Sequence, residues 1–147
     1  MGHGGGLYEE NLRVPLMLWN PRLFPTGERV EQVGGHIDLC PTLAQILGIE
    51  PPANWQGTSL FSPDHPNRAY FLADLSGYIF GMADARYKYM YHFTEDFERL
   101  YDLRQDPLEQ HDVSSQHRDI ASAMRARLSA FVHAEEQFQK DTTPAKH

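Results

Sequence analysis

Residues 2–6 contain the residue type that most directly suggests chemistry, a histidine within a run of glycines. His3 is followed by the acidic pair Glu9 and Glu10. An imidazole titrates near neutral pH, so His3 could donate a hydrogen bond or a proton to a substrate; the alternative is a frayed terminus without partners. Adjacent carboxylates point in different directions on a helix or strand, so the acidic pair cannot easily share one substrate. We expect it to begin a short helix, with Arg13 paired to one of the two.

A second set of carboxylates, Asp102, Asp106 and Glu109, lies in the stretch YDLRQDPLE. Asp-Pro is typical of a turn, and we prefer a turn to a metal site here. His36 precedes a predicted helix, and we expect it to fix a loop by a hydrogen bond rather than meet a substrate. The other histidines are scattered without the spacing of a metal site: His65, His92, His111, His117, His133 and His147. We therefore predict that this chain alone holds no metal or other cofactor.

Composition limits the classes of partner. The chain has 147 residues and a formal net charge of -7, without a cluster of lysine and arginine. This argues against the electrostatic footprint of a nucleic-acid-binding protein. Cys40 is the only cysteine, so no intrachain disulfide can form. No apolar run reaches the roughly 20 residues of a membrane span, and no signal peptide is recognisable, so the location stays open.

The first part of the chain predicts one strand and one helix. Residues 13–19 (RVPLMLW) form a short apolar run, which indicates a strand buried on both faces, with Pro15 restricting it to an edge or a strand start. In HIDLCPTLAQILGIEPP, Asp38 can cap a helix and Gly48 can end it. We expect that helix to have an apolar face. The connection ANWQGTSLFSPDHPN, which contains proline and glycine, should separate domains 1–62 and 63–140.

The second part predicts a small antiparallel sheet and a long helix. Four aromatic and apolar segments at residues 69–73, 78–83, 87–92 and 99–102 are separated by turn residues, as in a meander. Tyr87, Tyr89 and Tyr91 alternate with other residues at the period of a strand, and we expect core packing rather than a sugar-stacking platform. Residues 117–139 form an amphipathic helix that should cover the sheet, and residues 141–147 a disordered tail.

Three ordered blocks resemble the C-terminal part of the sulfatase-type members of the alkaline phosphatase superfamily. They are GHGGGLYEENLRVPLMLWNP, GGHIDLCPTLAQILGIEPPANWQGTSL and YKYMYHFTEDFERLYDLRQDPLEQHDV, and they are spread over about 110 residues of the chain. The resemblance implies an α/β fold (α+β for this chain by itself). It would be the tail of an alkaline-phosphatase-like sheet domain, followed by a small antiparallel sheet packed on a long C-terminal helix.

The resemblance also implies which parts of an enzyme lie elsewhere. Enzymes of this kind cleave sulfate or phosphate esters with a nucleophile and a divalent metal (calcium, manganese or zinc). Neither the family's nucleophile motif nor its metal-ligand motifs are found in this sequence. Cys40 lacks the C/S-x-P-S-R context of a formylglycine, and we expect it to pack in a helix. His3 matches a residue that reaches the ester or the metal-bound oxyanion in the relatives. Many sulfatases have a lysine shortly after this histidine, and its absence favours phosphatase or phosphoglycerol-transferase relatives.

Two functions follow as hypotheses. The chain is either the C-terminal portion of a sulfatase-like enzyme that is inactive without its N-terminal domain, or a small non-catalytic binding and assembly protein built from the same elements. In both cases residues 13–19 would present an unpaired strand edge. We therefore predict self-association into a homo-oligomer unless the missing domain covers this edge.

Overall fold

The computed structural model describes residues 7–74 and 77–142. The helices are α1 (Glu9–Leu12), α2 (Leu39–Leu47) and α3 (Arg118–Thr142), and a 3₁₀ turn (His36–Asp38) leads directly into α2. The strands are β1 (Arg68–Asp74), β2 (Tyr78–Asp84), β3 (Tyr87–His92) and β4 (Phe97–Asp102). None of the helices in the described ranges is long and apolar enough to cross a membrane.

The four strands form one antiparallel sheet in the order β1-β2-β3-β4. Neighbours in sequence are neighbours in space, so the sheet is the predicted meander, with strand ends within two residues of those expected. In the middle of the sheet, Tyr89 lies opposite Met82 on one side and opposite Leu100 on the other. The fold-class prediction is confirmed: a small antiparallel sheet is followed by a long C-terminal helix.

One face of the sheet packs against α3. Tyr89 and Leu100 are completely buried there, together with Met124 and Leu128 of the helix. At the edge of this core the ring of Phe131 stacks on that of Tyr70 at a centroid distance of 4.0 Å. The apolar face of the predicted amphipathic helix is therefore the face that packs on the sheet. The strand tyrosines belong to the core, as expected.

The other face of the sheet is covered by the start of the described chain. Leu7 is buried against Ile79, Met90 and Tyr101, with Leu12 of α1 packed beside them. Because alternate residues of a strand point to opposite faces, β3 supplies its tyrosines to the α3 side and Met90 to the Leu7 side. The sheet is thus a middle layer between α3 and residues 7–12.

The prediction of a buried strand at residues 13–19 is wrong for this structure. The segment is irregular, and Met17 and Trp19 are 86% and 83% exposed. A strand needs a neighbouring strand for its backbone hydrogen bonds, and none of the described residues provides one alongside this segment. Its apolar side chains consequently remain uncovered.

The prediction of a helix after His36 is confirmed, but its apolar face is not buried. Gly48 ends α2 in the left-handed conformation at φ 67°, as a helix C-cap requires. The buried residues of α2 are Pro41, Thr42 and Ala44, whereas Leu47 is 68% exposed. Cys40 is also exposed, so the expectation that it packs in the helix is wrong.

The predicted division into domains 1–62 and 63–140 stays a prediction. Helix α3 extends through residues 141 and 142 of the predicted tail. The remaining tail residues, 143–147, lie outside the described residues, as does His3.

Candidate functional site

The segment that follows the glycine run is fixed to the sheet by a buried ionic cluster. The ammonium of Lys88 lies 2.8 Å from Oε1 of Glu109 and 3.1 Å from Oε1 of Glu9. The Lys88 side chain is fully buried, and that of Glu109 is 2% exposed. In addition, the backbone amide of Glu9 donates a hydrogen bond of 2.5 Å to Oε2 of Glu109. Glu9 therefore pairs with Lys88, and not with Arg13 as predicted, whose side chain lies exposed.

Lys88 is itself a signal in the sequence for this cluster, although it belongs to none of the candidate motifs. Lys88 lies between Tyr87 and Tyr89, on the strand face opposite the tyrosines. A lysine at a central strand position has to be buried with a counter-charge, since an unpaired buried ammonium is costly. The partner could not be inferred, because Glu109 lies in a turn far along the chain and Glu9 near its start.

A second polar contact joins the same segment to the sheet. A guanidinium nitrogen of Arg99 donates hydrogen bonds to the hydroxyl groups of Tyr8 (3.0 Å) and Tyr101 (3.4 Å). Burial raises the pKa of Tyr101 to about 12, so its phenol is protonated at neutral pH. This group is an anchor and offers no nucleophile.

The carboxylates of residues 102–109 are each used inside the fold. Asp102 accepts two hydrogen bonds from the guanidinium of Arg86, at 2.7 and 3.0 Å, which lower the pKa of its carboxyl group. Asp106 accepts a hydrogen bond from the amide of His111, and Glu109 holds Lys88. The structure thus agrees with the preferred turn. No group of three or more metal-binding side chains occurs among residues 7–74 and 77–142.

A buried pair, Asp38 and His65, ties the 3₁₀ turn to the following loop. The carboxylate of Asp38 accepts hydrogen bonds from the amides of Gly35 and Thr58, both at 2.9 Å. His65 is buried beside it, with Nε2 3.4 Å from Oδ2 of Asp38, and its Nδ1 accepts from the amide of Asn67. Because Nδ1 accepts, a neutral His65 carries its proton on Nε2. The loop-fixing role expected for His36 belongs to His65, since His36 itself is exposed.

Tyr89, the middle residue of the tyrosine stripe, is not available to a substrate. Tyr89 is completely buried under α3 and donates a hydrogen bond of 2.6 Å to Glu98. Burial is the main reason that the pKa of Tyr89 is raised above its ordinary value of 10.0. The exposed surface nearby is a cleft of about 420 Å³ at the start of α3, lined by Glu98, Ser114, Ser115, Arg118, Ser122 and Arg125.

The described residues therefore form a framework. They hold residues 7–12 against the sheet by apolar, ionic and hydroxyl contacts. The candidate catalytic residue His3 lies outside the described residues, so its role stays a prediction.

Comparison with known families gives one extended match. Residues 6–134 match the family described as N-sulphoglucosamine sulphohydrolase, C-terminal. Among curated proteins, the chain is 29% identical to arylsulfatase K of Xenopus laevis over 145 residues, and 31% identical to the sulfatase YidJ of Escherichia coli K12 over 143 residues. These alignments cover 86% and 85% of this chain but only 27% of each relative. The chain spans about a quarter of the length of the curated relatives it matches.

Solved structures show the same fold. A 2-O GAG sulfatase matches 72% of this chain with a TM-score of 0.53 at 23% identity, and 26% of its own chain is covered. A protein solved in complex with its substrate D-glucosamine-2-N,6-O-disulfate matches 75% of this chain with a TM-score of 0.51 at 20% identity, and 25% of that chain is covered.

Proposed function

Because the chain belongs to the family of N-sulphoglucosamine sulphohydrolase C-terminal domains, we propose that it serves as the C-terminal domain of an enzyme that hydrolyses sulfate esters. The observation that carries this proposal is the match over residues 6–134, which includes the second and third sequence blocks and residues 6–21 of the first. The substrate class follows the relatives, which are sulfatases. Phosphate esters, which the lack of a lysine after His3 had favoured, become the second choice.

The exposed apolar surface supports a domain that packs against further protein. Most of the large apolar side chains left exposed lie in residues 14–49, including Val14 (62%), Met17 (86%) and Trp19 (83%). Soluble monomers rarely expose apolar side chains in such a concentration. We assign residues 13–23 to the interface with the catalytic part of the enzyme, where a neighbouring strand could complete the predicted strand at 13–19.

The catalytic part would supply the nucleophile and the divalent metal that this kind of enzyme uses. The carboxylates of residues 102–109 do not fit a metal ion, because Asp102 binds Arg86, Glu109 binds Lys88 and Asp106 accepts from the amide of His111. In this proposal the chain contributes His3, which would donate a hydrogen bond or a proton to the ester group. It also contributes the framework that holds the segment after His3.

A chimeric enzyme tests this proposal. This chain replaces the matching C-terminal segment of Xenopus laevis arylsulfatase K, and hydrolysis of 4-nitrophenyl sulfate is measured. We expect turnover by the chimera and none by the chain alone with calcium, manganese or zinc. His3→Ala should reduce kcat by about 100-fold, the usual effect of removing a general acid. Metal-dependent turnover by the chain alone that survives His3→Ala would contradict the proposal.

The exposed apolar residues also favour a second candidate, a non-catalytic assembly protein in which a second copy covers residues 13–23. The two candidates differ in what covers this surface. Turnover by the chimera favours the enzyme, whereas a stable homo-oligomer together with an inactive, folded chimera favours the assembly protein.

A further inference from the structure

We propose that the cleft at the start of α3 binds a sulfated sugar, with arginine side chains holding the sulfate group and with serine and glutamate side chains holding the sugar hydroxyl groups. The choice of sulfate over other anionic groups rests on the proposed function. The binding itself belongs to residues 98–125 of this chain and can be measured without any turnover.

The cleft lies on the α3 side of the sheet. Its walls come from β4, from the turn before α3 and from α3 itself, and its volume is about 420 Å³. That volume is within the usual range of small-molecule sites and exceeds what a single small anion needs. Glu98 lies opposite Tyr91 in the sheet, on the face that packs against α3, whereas residues 7–12 cover the other face.

Three of the lining residues share one face of α3. Arg118, Ser122 and Arg125 follow each other at intervals of four and three residues, which places their side chains in one row. Ser114 and Ser115 precede the helix at the Arg118 end of this row. Two guanidinium groups and three hydroxyl groups therefore line one cleft.

Most of these groups have donors that the fold does not use. Among residues 7–74 and 77–142, the Arg118 side chain makes no hydrogen bond or ion pair, and the hydroxyl groups of the three lining serines make no hydrogen bond. An arginine carries five N–H donors in a planar fork, which suits the oxygen atoms of an anionic group. Arg118 can therefore bind a sulfate group without giving up a polar contact of the folded chain.

Arg125 is held beside the cleft and still keeps donors for a ligand. Its guanidinium carbon lies 4.8 Å from the centroid of the Tyr91 ring, and its Nη1 lies 3.7 Å from Oε2 of Glu98. The same glutamate oxygen accepts the hydrogen bond from the hydroxyl group of Tyr89. Because a guanidinium over a ring keeps its N–H groups at its edge, Arg125 is a preorganised second contact for the sulfate group.

The mixture of charges favours a sulfated sugar over a simple anion. The carboxylate of Glu98 lines the cleft together with the arginines, and a carboxylate repels a bare anion but accepts hydrogen bonds from sugar hydroxyl groups. Serine hydroxyl groups donate and accept, as sugar hydroxyl groups do. A ligand with one sulfate group and several hydroxyl groups satisfies all three types of side chain.

The test is an NMR titration of the 147-residue chain with glucose 6-sulfate at low ionic strength, because salt screens exposed charges. We expect the amide resonances of residues 114–125 to shift, with a Kd of about 1–10 mM for a single sugar with few contacts. Arg118→Ala should raise this Kd at least about fivefold, because it removes a charged hydrogen-bond donor. Arg127→Ala is the matched control, since it removes the same charge from an exposed position of α3 that does not line the cleft.

Glucose and sodium sulfate are the comparison ligands. We expect no shifts with glucose, and a Kd for inorganic sulfate at least about fivefold higher than that for glucose 6-sulfate. Equal Kd values for the two sulfates would show that the cleft takes only an anion and would overturn the assignment of a sugar site.

Two further results would overturn the inference. The first is the absence of shifts in residues 114–125 with glucose 6-sulfate up to about 50 mM. The second is an equal effect of Arg118→Ala and Arg127→Ala, which would show that only the overall charge matters. If the chimeric enzyme proves inactive while the titration is as expected, the proposed function fails and the binding site stands.

Discussion

At the scale of single residues, the ionic contacts of the small sheet differ in exposure and therefore in what they do. Arg86 and Asp102 join the β2–β3 turn to the end of β4, with the arginine side chain 43% exposed and the aspartate 6% exposed. Lys88 lies two residues further along and is fully enclosed. Removing Arg86 leaves an Asp102 carboxylate that still accepts a hydrogen bond from the backbone amide of Arg104, whereas removing one partner of Lys88 leaves an enclosed charge.

The Arg86–Asp102 pair predicts a pH-dependent contribution to stability. Arg86 holds the pKa of Asp102 below its ordinary value of 3.8 in the folded state. The stabilisation is therefore present above about pH 4 and is lost as the pH falls through the folded-state pKa. Arg86→Met should lower the free energy of unfolding at pH 7, and the difference from the wild type should shrink towards pH 2. Urea unfolding at several pH values measures this, and a difference that is independent of pH would contradict it.

The close approach of Gly57 to the backbone of Ile37 predicts a steric cost for any side chain at position 57, which the sequence alone does not reveal. A Cβ atom at this position would overlap the backbone carbonyl of Ile37, whereas a Cβ at Gly27 would meet nothing within 4 Å. We expect Gly57→Ala to lower the free energy of unfolding by about 1–3 kcal/mol, and the control Gly27→Ala to change it by less than about 0.5 kcal/mol. Urea unfolding compares the two, and equal effects would show that the approach to Ile37 is not tight.

At the scale of elements, α3 and the sheet form the main core. Met124 and Leu128 are 1% and 5% exposed, and they meet the strand residues Met82, Tyr89 and Leu100. Among the helices and strands, α1 is too short to be stable without such support and depends on its contacts with the sheet.

The packing of α3 on the sheet predicts that the free energy of unfolding depends strongly on the side chain of Met124. Met124→Ala should cost about 2–5 kcal/mol of unfolding free energy, because it leaves a cavity between α3 and the sheet. Arg127→Ala lies on the exposed side of the same helix and should change the free energy by less than about 0.5 kcal/mol. Chemical denaturation followed by circular dichroism measures both, and a similar loss for the two variants would contradict the packing described.

The elements that could be predicted from the sequence are those with a clear periodic pattern and with a packing partner in the same chain. The alternation in YKYMYH and the stripe from Ile120 to Leu128 predict the sheet and α3, because each pattern finds its partner among the described residues. Residues 13–19 carry an equally apolar pattern but find no strand to pair with. The Glu109–Lys88 contact could not be predicted, since it depends on a positive-φ turn that brings distant residues together.

At the scale of the whole molecule, the apolar surface of residues 14–49 contrasts with the closed core around the sheet. Val14, Met17 and Trp19 are exposed by more than half, although a net charge of -7 keeps the molecule acidic overall. We propose that another protein or a second copy covers this surface, because exposed apolar surface of this kind is typical of interaction sites.

Self-association of the isolated chain is the corresponding prediction. At tens of micromolar, sedimentation velocity should show a dimer or a larger species, and Met17→Asp with Trp19→Asp should shift it to a monomer. Phe93→Asp is the control, because Phe93 is also exposed (64%) but directly follows β3 and is not part of residues 13–23. A clean monomer for the wild type would contradict the prediction.

The most direct test of the account measures 4-nitrophenyl sulfate hydrolysis by the chimera with and without Met17→Asp and Trp19→Asp. If residues 13–23 pack against the catalytic part, the substituted chimera should lose at least about tenfold in kcat/KM, since two buried apolar side chains become charged. At concentrations low enough for the wild-type chain to be monomeric, the same substitutions should leave the unfolding free energy of the isolated chain nearly unchanged. Full activity of the substituted chimera would show that this surface is not the interface and would contradict the account.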